Sequence, residues 1–229
     1  MSAARLGRPR LHLRATTSTN DRARELAQGG APHGTLVTAA QQTAGRGRQG
    51  RTWSAPPGRA LLVSVVVRDP PALLPLAAAL AVAEVAGAGA QIKWPNDVLL
   101  DGRKVAGILA EGRPQDGWAV LGIGLNVALR IEDLPPELQD TAGTLGREPT
   151  DLEPTLELLL DALERALALD DAALLDGYRA RHALRGREVA WAAGHGRAAG
   201  IDGTGRLVVE LPEGGRTALS AGEVHLERS

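Results

Sequence analysis

The spacing of apolar positions along the chain changes several times, and each change marks an element. Residues 18–28 read as a short helix: Ser18 opens it with Asp21 three positions on, a variant of the capping pattern, Ala23, Leu26 and Ala27 recur at helical spacing, and Gly29-Gly30 ends it. A strand is predicted over 35–40 and a second, with a near-continuous apolar run, over 60–67, so the glycine- and arginine-rich stretch 45–51 falls in a loop between two strands. Residues 73–90 are apolar enough to raise the question of a membrane span. Glu84 interrupts them, Pro75 opens them, and alanine and glycine supply most of their length, so a buried helix is predicted. An antiparallel meander follows: strands over 98–100, 104–110 and 118–127, with turns at Asp101-Gly102 and over 114–117.

Thr150-Asp151-Leu152-Glu153 has the form of a capping box, and Leu152, Leu156, Leu159, Leu160, Leu163 and Leu167 repeat at helical spacing behind it. A second helix is expected over 171–184. From Gly186 the texture becomes short alternating pieces separated by glycine turns, over 188–191, 197–201, 206–211, 216–219 and 223–226, which together suggest a small barrel of about five strands. The boundary is placed near residue 185, giving one domain over 1–184 and a satellite over 185–229. The pattern as a whole is α+β.

Composition narrows the chemistry. The chain has no cysteine, which removes a disulfide framework, a thiolate zinc site and a Cys nucleophile, and fits a reducing, cytoplasmic compartment. The first ten residues carry basic side chains but no apolar stretch behind them, so no secretory signal is expected. A net charge of -1 argues against a broad basic nucleic-acid face, though not against a local basic site. Lysine fills only two of the 26 basic positions, Lys93 and Lys104, and arginine fills the rest. With no Phe, the core must be built from Leu, Val, Ile and Ala.

Gly45-Arg46-Gly47-Arg48-Gln49-Gly50 formally matches a dinucleotide-binding fingerprint, and 45–52 nearly matches a P-loop with Arg51 where lysine belongs. Both need a helix to follow, and Trp53-Ser54-Ala55-Pro56-Pro57 forbids one. What remains is a flexible backbone carrying Arg46, Arg48 and Arg51, suited to holding carboxylate or phosphate by guanidinium forks; a solvated turn and an RNA-binding arginine-glycine tail are the alternatives. Both lysines fall within Lys93-Trp94-Pro95-Asn96-Asp97 and Arg103-Lys104-Val105-Ala106-Gly107-Ile108. A compact ammonium can follow a reacting phosphate where a planar fork is bulky, and a nearby carboxylate such as Asp97 could hold magnesium on a nucleotide. Thr17-Ser18-Thr19-Asn20 reads as a helix cap or, with Gln41-Gln42, as a cluster of hydroxyls and amides for a neutral polar ring. Asn126 ends Gly122-Ile123-Gly124-Leu125 in a similar position, and the five histidines show no paired metal spacing.

Taken in order, Ser18-Thr19-Asn20, Gln42-Thr43-Ala44-Gly45-Arg46-Gly47-Arg48, Trp53, Lys93-Trp94-Pro95-Asn96-Asp97, Lys104-Val105-Ala106-Gly107-Ile108 and Gly122-Ile123-Gly124-Leu125-Asn126-Val127 resemble the biotin protein ligases, along essentially the whole chain. Ala142-Gly143-Thr144-Leu145 echoes a short family motif only loosely. The resemblance implies a mixed-sheet catalytic domain of class II synthetase type with flanking helices, followed by an SH3-like barrel. It implies that biotin reacts with ATP to give biotinyl-5′-AMP, and that a lysine of a biotin carboxyl carrier protein then takes the biotin. On the matching positions, Ser18, Thr19 and Gln42 would meet the ureido ring, and Arg46 and Arg48 would cover the carboxylate and phosphate. Lys104 would contact both anions as the chief catalytic charge, and Gly107 would let the backbone lie close to biotin. Lys93, Asn96, Asp97, Arg51 and Asn126 would face the nucleotide and its magnesium, with Asp97 as metal ligand or as guide for the incoming lysine, and Trp53 would pack near adenine. No DNA partner is expected, because about 15 residues precede Thr16, too few for the winged helix that some members carry; no membrane partner is expected, and a homodimer through an exposed sheet edge is left open. The alternatives are a lipoate-type acid ligase, and a non-catalytic nucleotide or nucleic-acid module built on Arg46, Arg48 and Arg51.

Overall fold

The computed structural model describes residues 5–220, 222 and 224–226. Its elements in chain order begin with β1 (Arg10–Leu13), α1 (Thr19–Gln28), β2 (Leu36–Ala39), β3 (Ala60–Arg68) and α2 (Leu74–Ala86). The meander follows as β4 (Gln91–Lys93), β5 (Asp97–Leu100), β6 (Arg103–Arg113) and β7 (Trp118–Asn126). Then come α3 (Pro136–Gln139), α4 (Leu152–Leu167), α5 (Asp171–Ala180), and β8 (Glu188–Trp191), β9 (Gly194–Ile201), β10 (Leu207–Glu210), β11 (Arg216–Leu219) and β12 (His225–Leu226).

β1 to β7 form one mixed sheet in the order β1-β2-β3-β7-β6-β5-β4. Only β1 and β2 run parallel; every other neighbouring pair is antiparallel. The two faces of this sheet differ, and the difference makes the site. One face carries Leu61, Val63, Val65 and Val67 of β3 with Leu121, Ile123 and Leu125 of β7, packed with α2, α4 and α5 in the main core. α2 is buried nearly all round, because its alanines let the sheet and α4 close on it from opposite sides. On the other face Val37, Val66, Trp118 and Val120 pack under Ala23 and Ala27 of α1. Next to them the same face presents Ser64, Gly122, Gly124 and Gly107, where a core would need large side chains, so beyond α1 the sheet lies open.

The C-terminal strands form a five-stranded antiparallel sheet, β11-β10-β9-β8-β12. Val189, Ala198, Ile201, Leu207 and Val209 belong to the same apolar cluster as α2 and α5, and Arg179 Nε donates to the Ile201 carbonyl at 3.0 Å. Trp94, 2% exposed, reaches across as well: its indole Nε1 donates to the Gly205 carbonyl at 3.0 Å.

Local expectations needed several corrections. Ser18 is the N-cap of α1, but its side chain makes no capping bond; the Thr19 amide is met by Gln42 instead. The capping box lies earlier than Thr150, between Glu148 and Asp151, because Pro149 starts a separate 3-10 turn before α4. α5 stops at Ala180 instead of 184. Arg181 turns back to donate to the Ala83, Gly87 and Ala90 carbonyls at the end of α2, which pulls 181–184 out of the helix and into a bridge between Ile92 and His182. Of the last expected strand, Glu223 lies outside the described residues. Among the described residues no helix is long and apolar enough to cross a membrane.

Candidate active site

The open half of the sheet is the floor of a cavity of about 490 Å3. Ser18, Thr19, Gln42, Arg46, Arg48, Arg51, Trp53, Lys93, Asn96, Asp97, Lys104, Gly107 and Asn126 all line it. Residues spread over more than a hundred positions of sequence thus converge on one surface.

Polar side chains close the end of the cavity nearest α1. Gln42 Oε1 accepts from the Thr19 amide at 2.7 Å and lies 3.0 Å from the Thr19 hydroxyl. The Ser64 hydroxyl lies 2.8 Å from Thr19 Oγ1 and 2.6 Å from Asn20 Oδ1, and Asn20 Nδ2 donates to Glu111 Oε2 at 2.7 Å. Asn20 occupies the space above Gly122: a Cβ there would come within 2.8 Å of Asn20 Cγ. Arg46 is held at the root of its loop by Asp21 at 2.7 Å and Glu111 at 3.1 Å, and Arg24 approaches Glu111 at 3.0 Å. Such charge-assisted contacts fix a side chain more firmly than neutral ones.

In the middle of the cavity the indole of Trp53 lies on the sheet. Gly107 and Gly124 are cross-strand partners on β6 and β7; a Cβ at Gly124 would fall 2.6 Å from Trp53 Nε1, and one at Gly107 3.0 Å from Trp53 Cζ3. The missing side chains are what allow a ring to lie this close to the strands. Lys104 Nζ sits 5.7 Å from the centre of the Trp53 ring, within cation–π range, and 2.7 Å from Asp97 Oδ1.

The strap from β4 to β5 carries Lys93, Asn96 and Asp97 to the cavity while Trp94 points away into the C-terminal sheet. Asn96 joins three parts: its carbonyl accepts from the Ile108 amide at 2.9 Å, its Nδ2 donates to the Ile108 carbonyl at 3.1 Å, and its Oδ1 accepts from Arg48 at 3.3 Å. The loop itself contains only a short 3-10 turn, Arg48–Gly50, with Gln49 in the left-handed region, so neither phosphate-binding helix pattern is realised. Behind the strap Tyr178 and His182 are buried with ring centres 6.1 Å apart. Burial pushes the Tyr178 phenol well above its ordinary range, and the negative charge of Asp97 adds to the effect. Burial likewise lowers His182 to about 4, with the Arg185 charge acting in the same direction.

The sequence reading missed three residues that hold the lining in place, and part of the lining itself. Ser64 was detectable as the single polar residue in the apolar run of β3. Glu111 and Asp21 gave no such signal, because a carboxylate on an exposed-looking strand end or first helical turn has an ordinary explanation. The far wall, Leu129, Leu134, Leu138 and Thr141, was also missed; the Thr141 carbonyl accepts from the Lys104 amide at 2.8 Å, and Asn126 Nδ2 donates to the Gly143 carbonyl at 2.9 Å, which docks this segment.

The model of the biotin/lipoate A/B protein ligase family matches residues 13–127, and that of the biotin protein ligase C terminal domain matches 185–226. The chain belongs to the biotin/lipoate A/B protein ligase family. A biotin–acetyl-CoA-carboxylase ligase of Mycobacterium tuberculosis is 39% identical over 233 residues, covering 91% of this chain and 85% of that protein. A bifunctional ligase/repressor of Bacillus subtilis is 34% identical, covering 94% of this chain and 74% of its own. Among solved structures, the biotin protein ligase from Aquifex aeolicus in complex with biotin and ATP has a TM-score of 0.82 at 28% identity, covering 97% of this ligase-family chain and 100% of that one.

Proposed function

We propose that this chain is a biotin protein ligase that activates biotin with ATP and passes it to a lysine of a biotin carboxyl carrier protein. The observation that carries the reading is the cavity itself: hydroxyls and an amide suited to a neutral ring at one end, and Lys104, Arg48 and Lys93 at the other, on one glycine floor. In the first step an oxygen of biotin's carboxylate attacks the α-phosphorus of ATP and pyrophosphate leaves. In the second, the carrier's amine attacks the acyl carbon of biotinyl-5′-AMP, AMP leaves, and the amine's proton is lost. Both first-step reactants are anions, so the main task is to screen their repulsion and stabilise charge growing on the phosphoryl oxygens.

In this reading Ser18, Thr19 and Gln42 hold the ureido ring, and Lys104 and Arg48 take the carboxylate and α-phosphate. Arg46 acts on the same anions from its clamped position, and Gly107 admits the ligand to the backbone. Lys93, Arg51, Asn96 and Asn126 serve the nucleotide, with Trp53 packing near its adenine. Among the described residues no group of three His, Cys, Asp or Glu side chains could hold a metal, so magnesium fits here as a companion of ATP, kept by the phosphates, water and at most Asp97. To act as ligand or as guide for the carrier lysine, Asp97 would share its contact with Lys104. Residues 1–184 form the catalytic domain and 185–229 the C-terminal one; a homodimer would have β1, an end strand of the large sheet, available for pairing.

Exchange of labelled pyrophosphate into ATP tests the proposal when run separately with biotin, lipoate and octanoate. Biotin-dependent exchange is expected. Exchange supported by lipoate and not biotin would transfer the chain to the other branch of its family, and no exchange with salt-dependent oligonucleotide binding would favour a non-catalytic module.

A further inference from the structure

Among the described residues the lining of the cavity ends at Ala142, so none of it comes from the C-terminal sheet. Yet the strap that carries Lys93, Asn96 and Asp97 to the cavity is tied into that sheet where Trp94 Nε1 donates to the Gly205 carbonyl. Gly205 lies in the turn 202–206 between β9 and β10, and the side chain of Asp202 gathers that turn around itself. We propose that Asp202 is a positioning residue for the nucleotide side of the site, which sets the strap by fixing the peptide group that receives Trp94, an inference that rests on the ligase reading and deepens it.

The Gly205 carbonyl and the Arg206 N–H belong to one peptide unit. That unit is planar, so holding one end of it aims the other. Asp202 Oδ1 accepts from the Arg206 amide at 3.0 Å, and on the opposite end of the same plane the Gly205 carbonyl accepts from Trp94 at 3.0 Å. Oδ1 also accepts from the Thr204 amide at 2.8 Å and the Thr204 hydroxyl at 2.9 Å, while Oδ2 accepts from Arg206 Nε at 2.7 Å. Burial by itself would raise the Asp202 carboxyl, but donation from Arg206 and Thr204 outweighs it and holds the group down to about 2, so it meets these donors as a full anion. The turn cannot slide along its support either: Gly205 has a φ of +80°, and a Cβ there would come 2.9 Å from Leu73 Cδ2 and 3.0 Å from Leu76 Cδ2 at the start of α2. On the other side, Trp94 is 2% exposed, so its indole N–H has no access to a replacement acceptor from solvent. From Trp94 the effect reaches the chemistry in two steps, since Lys93 pairs with Asp97 across β4 and β5 and Asp97 Oδ1 lies 2.7 Å from Lys104. Ser18, Thr19 and Gln42 are held by contacts on α1 and share none of these links.

The test reads KM for ATP and for biotin separately in pyrophosphate exchange, with melting temperature followed by calorimetry. Asp202→Ala releases the peptide plane, and KM for ATP is expected to rise about fivefold while KM for biotin stays within about twofold. Asp202→Asn keeps an oxygen for the Arg206 and Thr204 amides, so KM for ATP should remain within about twofold of the unmodified chain. In Trp94→Phe the donor to Gly205 is already gone; adding Asp202→Ala there should lower the melting temperature further but change KM for ATP by less than about twofold. Should Asp202→Ala not fold, Asp202→Glu, which keeps the charge and displaces the oxygens from the Arg206 amide, takes its place with the same expected split. A lower melting temperature with both KM values unchanged would make the turn structural only and overturn the proposal. So would parallel rises in both KM values, Asp202→Asn as damaging as Asp202→Ala, or effects on KM for ATP that multiply in the double variant. Any of these in a chain that exchanges with biotin overturns the role of Asp202 alone; absence of biotin-dependent exchange in the unmodified chain overturns the ligase reading and this inference together.

Discussion

The ammonium of Lys104 lies 2.7 Å from Asp97 Oδ1, against the face of Trp53. A cation held between a carboxylate and an aromatic ring is positioned before any anion arrives, so little reorganisation is needed when charge develops on the phosphoryl group. Lys104→Ala should therefore lower the single-turnover rate of biotinyl-AMP formation about a hundredfold or more, while biotin affinity measured by calorimetry changes far less. Equal losses in rate and affinity would show that Lys104 serves binding alone.

Trp53 depends on the bare strands beneath it. Gly124→Ala should displace the indole, shift its fluorescence and raise KM for both substrates, because the added methyl would fall 2.3 Å from Trp53 Cε2 and 2.6 Å from Nε1, closer than atoms can pack. Since the damage runs through one ring, combining Gly124→Ala with Trp53→Ala should be little worse than Trp53→Ala by itself. Additive effects in the steady-state constants would separate the two residues.

The strap that brings Lys93, Asn96 and Asp97 to the cavity is tied to the C-terminal sheet by Trp94. Trp94→Phe keeps a ring but removes the donor to the Gly205 carbonyl, and should cost about 1–2 kcal/mol of stability. In a chain of this size that is a fall of several degrees in melting temperature, readable by calorimetry. A rise in KM for ATP exceeding that for biotin is expected with it, because the strap faces the nucleotide in the proposed arrangement.

His182 gives the acid limb of stability. Its folded value is lowered to about 4 from the ordinary 6.5, so between these values the unfolded chain binds a proton that the folded chain does not. Stability then falls as the pH falls through this window, by about 3 kcal/mol in all for such a shift, and is fully present above it. Chemical denaturation from pH 7 to 4.5 should show a steeper loss in the unmodified chain than in His182→Leu; parallel curves would remove His182 as the cause.

Much of this arrangement was legible in the order of residues. The elements announced themselves because burial imposes periods of two and 3.6 on apolar positions, and breaks in α1, β3, α2 and the meander fell at glycine, proline and acidic residues. The candidate site was legible as well, since Lys93 and Lys104 stood out in a chain that otherwise uses arginine, and the arginine loop was followed by prolines that ruled out a phosphate-binding helix. Helix ends were less legible: Gln42 took over the capping of α1 and Arg181 the end of α2, and long-range partners of this kind leave no mark at the helix itself.

By itself the sequence determined which residues could carry the chemistry, and that an antiparallel meander would be followed, past about residue 185, by a smaller unit of short strands; the mixed sheet was implied only by the family resemblance. Only the tertiary structure decided how they meet. It set Ser64 opposite Gly122 and Gly107 opposite Gly124, seated Asn20 and Trp53 in the space those glycines leave, and drew Glu111 to both Asn20 and Arg46. The physical reason is that periodicity and charge are properties of neighbours in the chain, whereas a hydrogen-bond partner or a gap in a sheet face is set by strand register and packing between segments far apart in it.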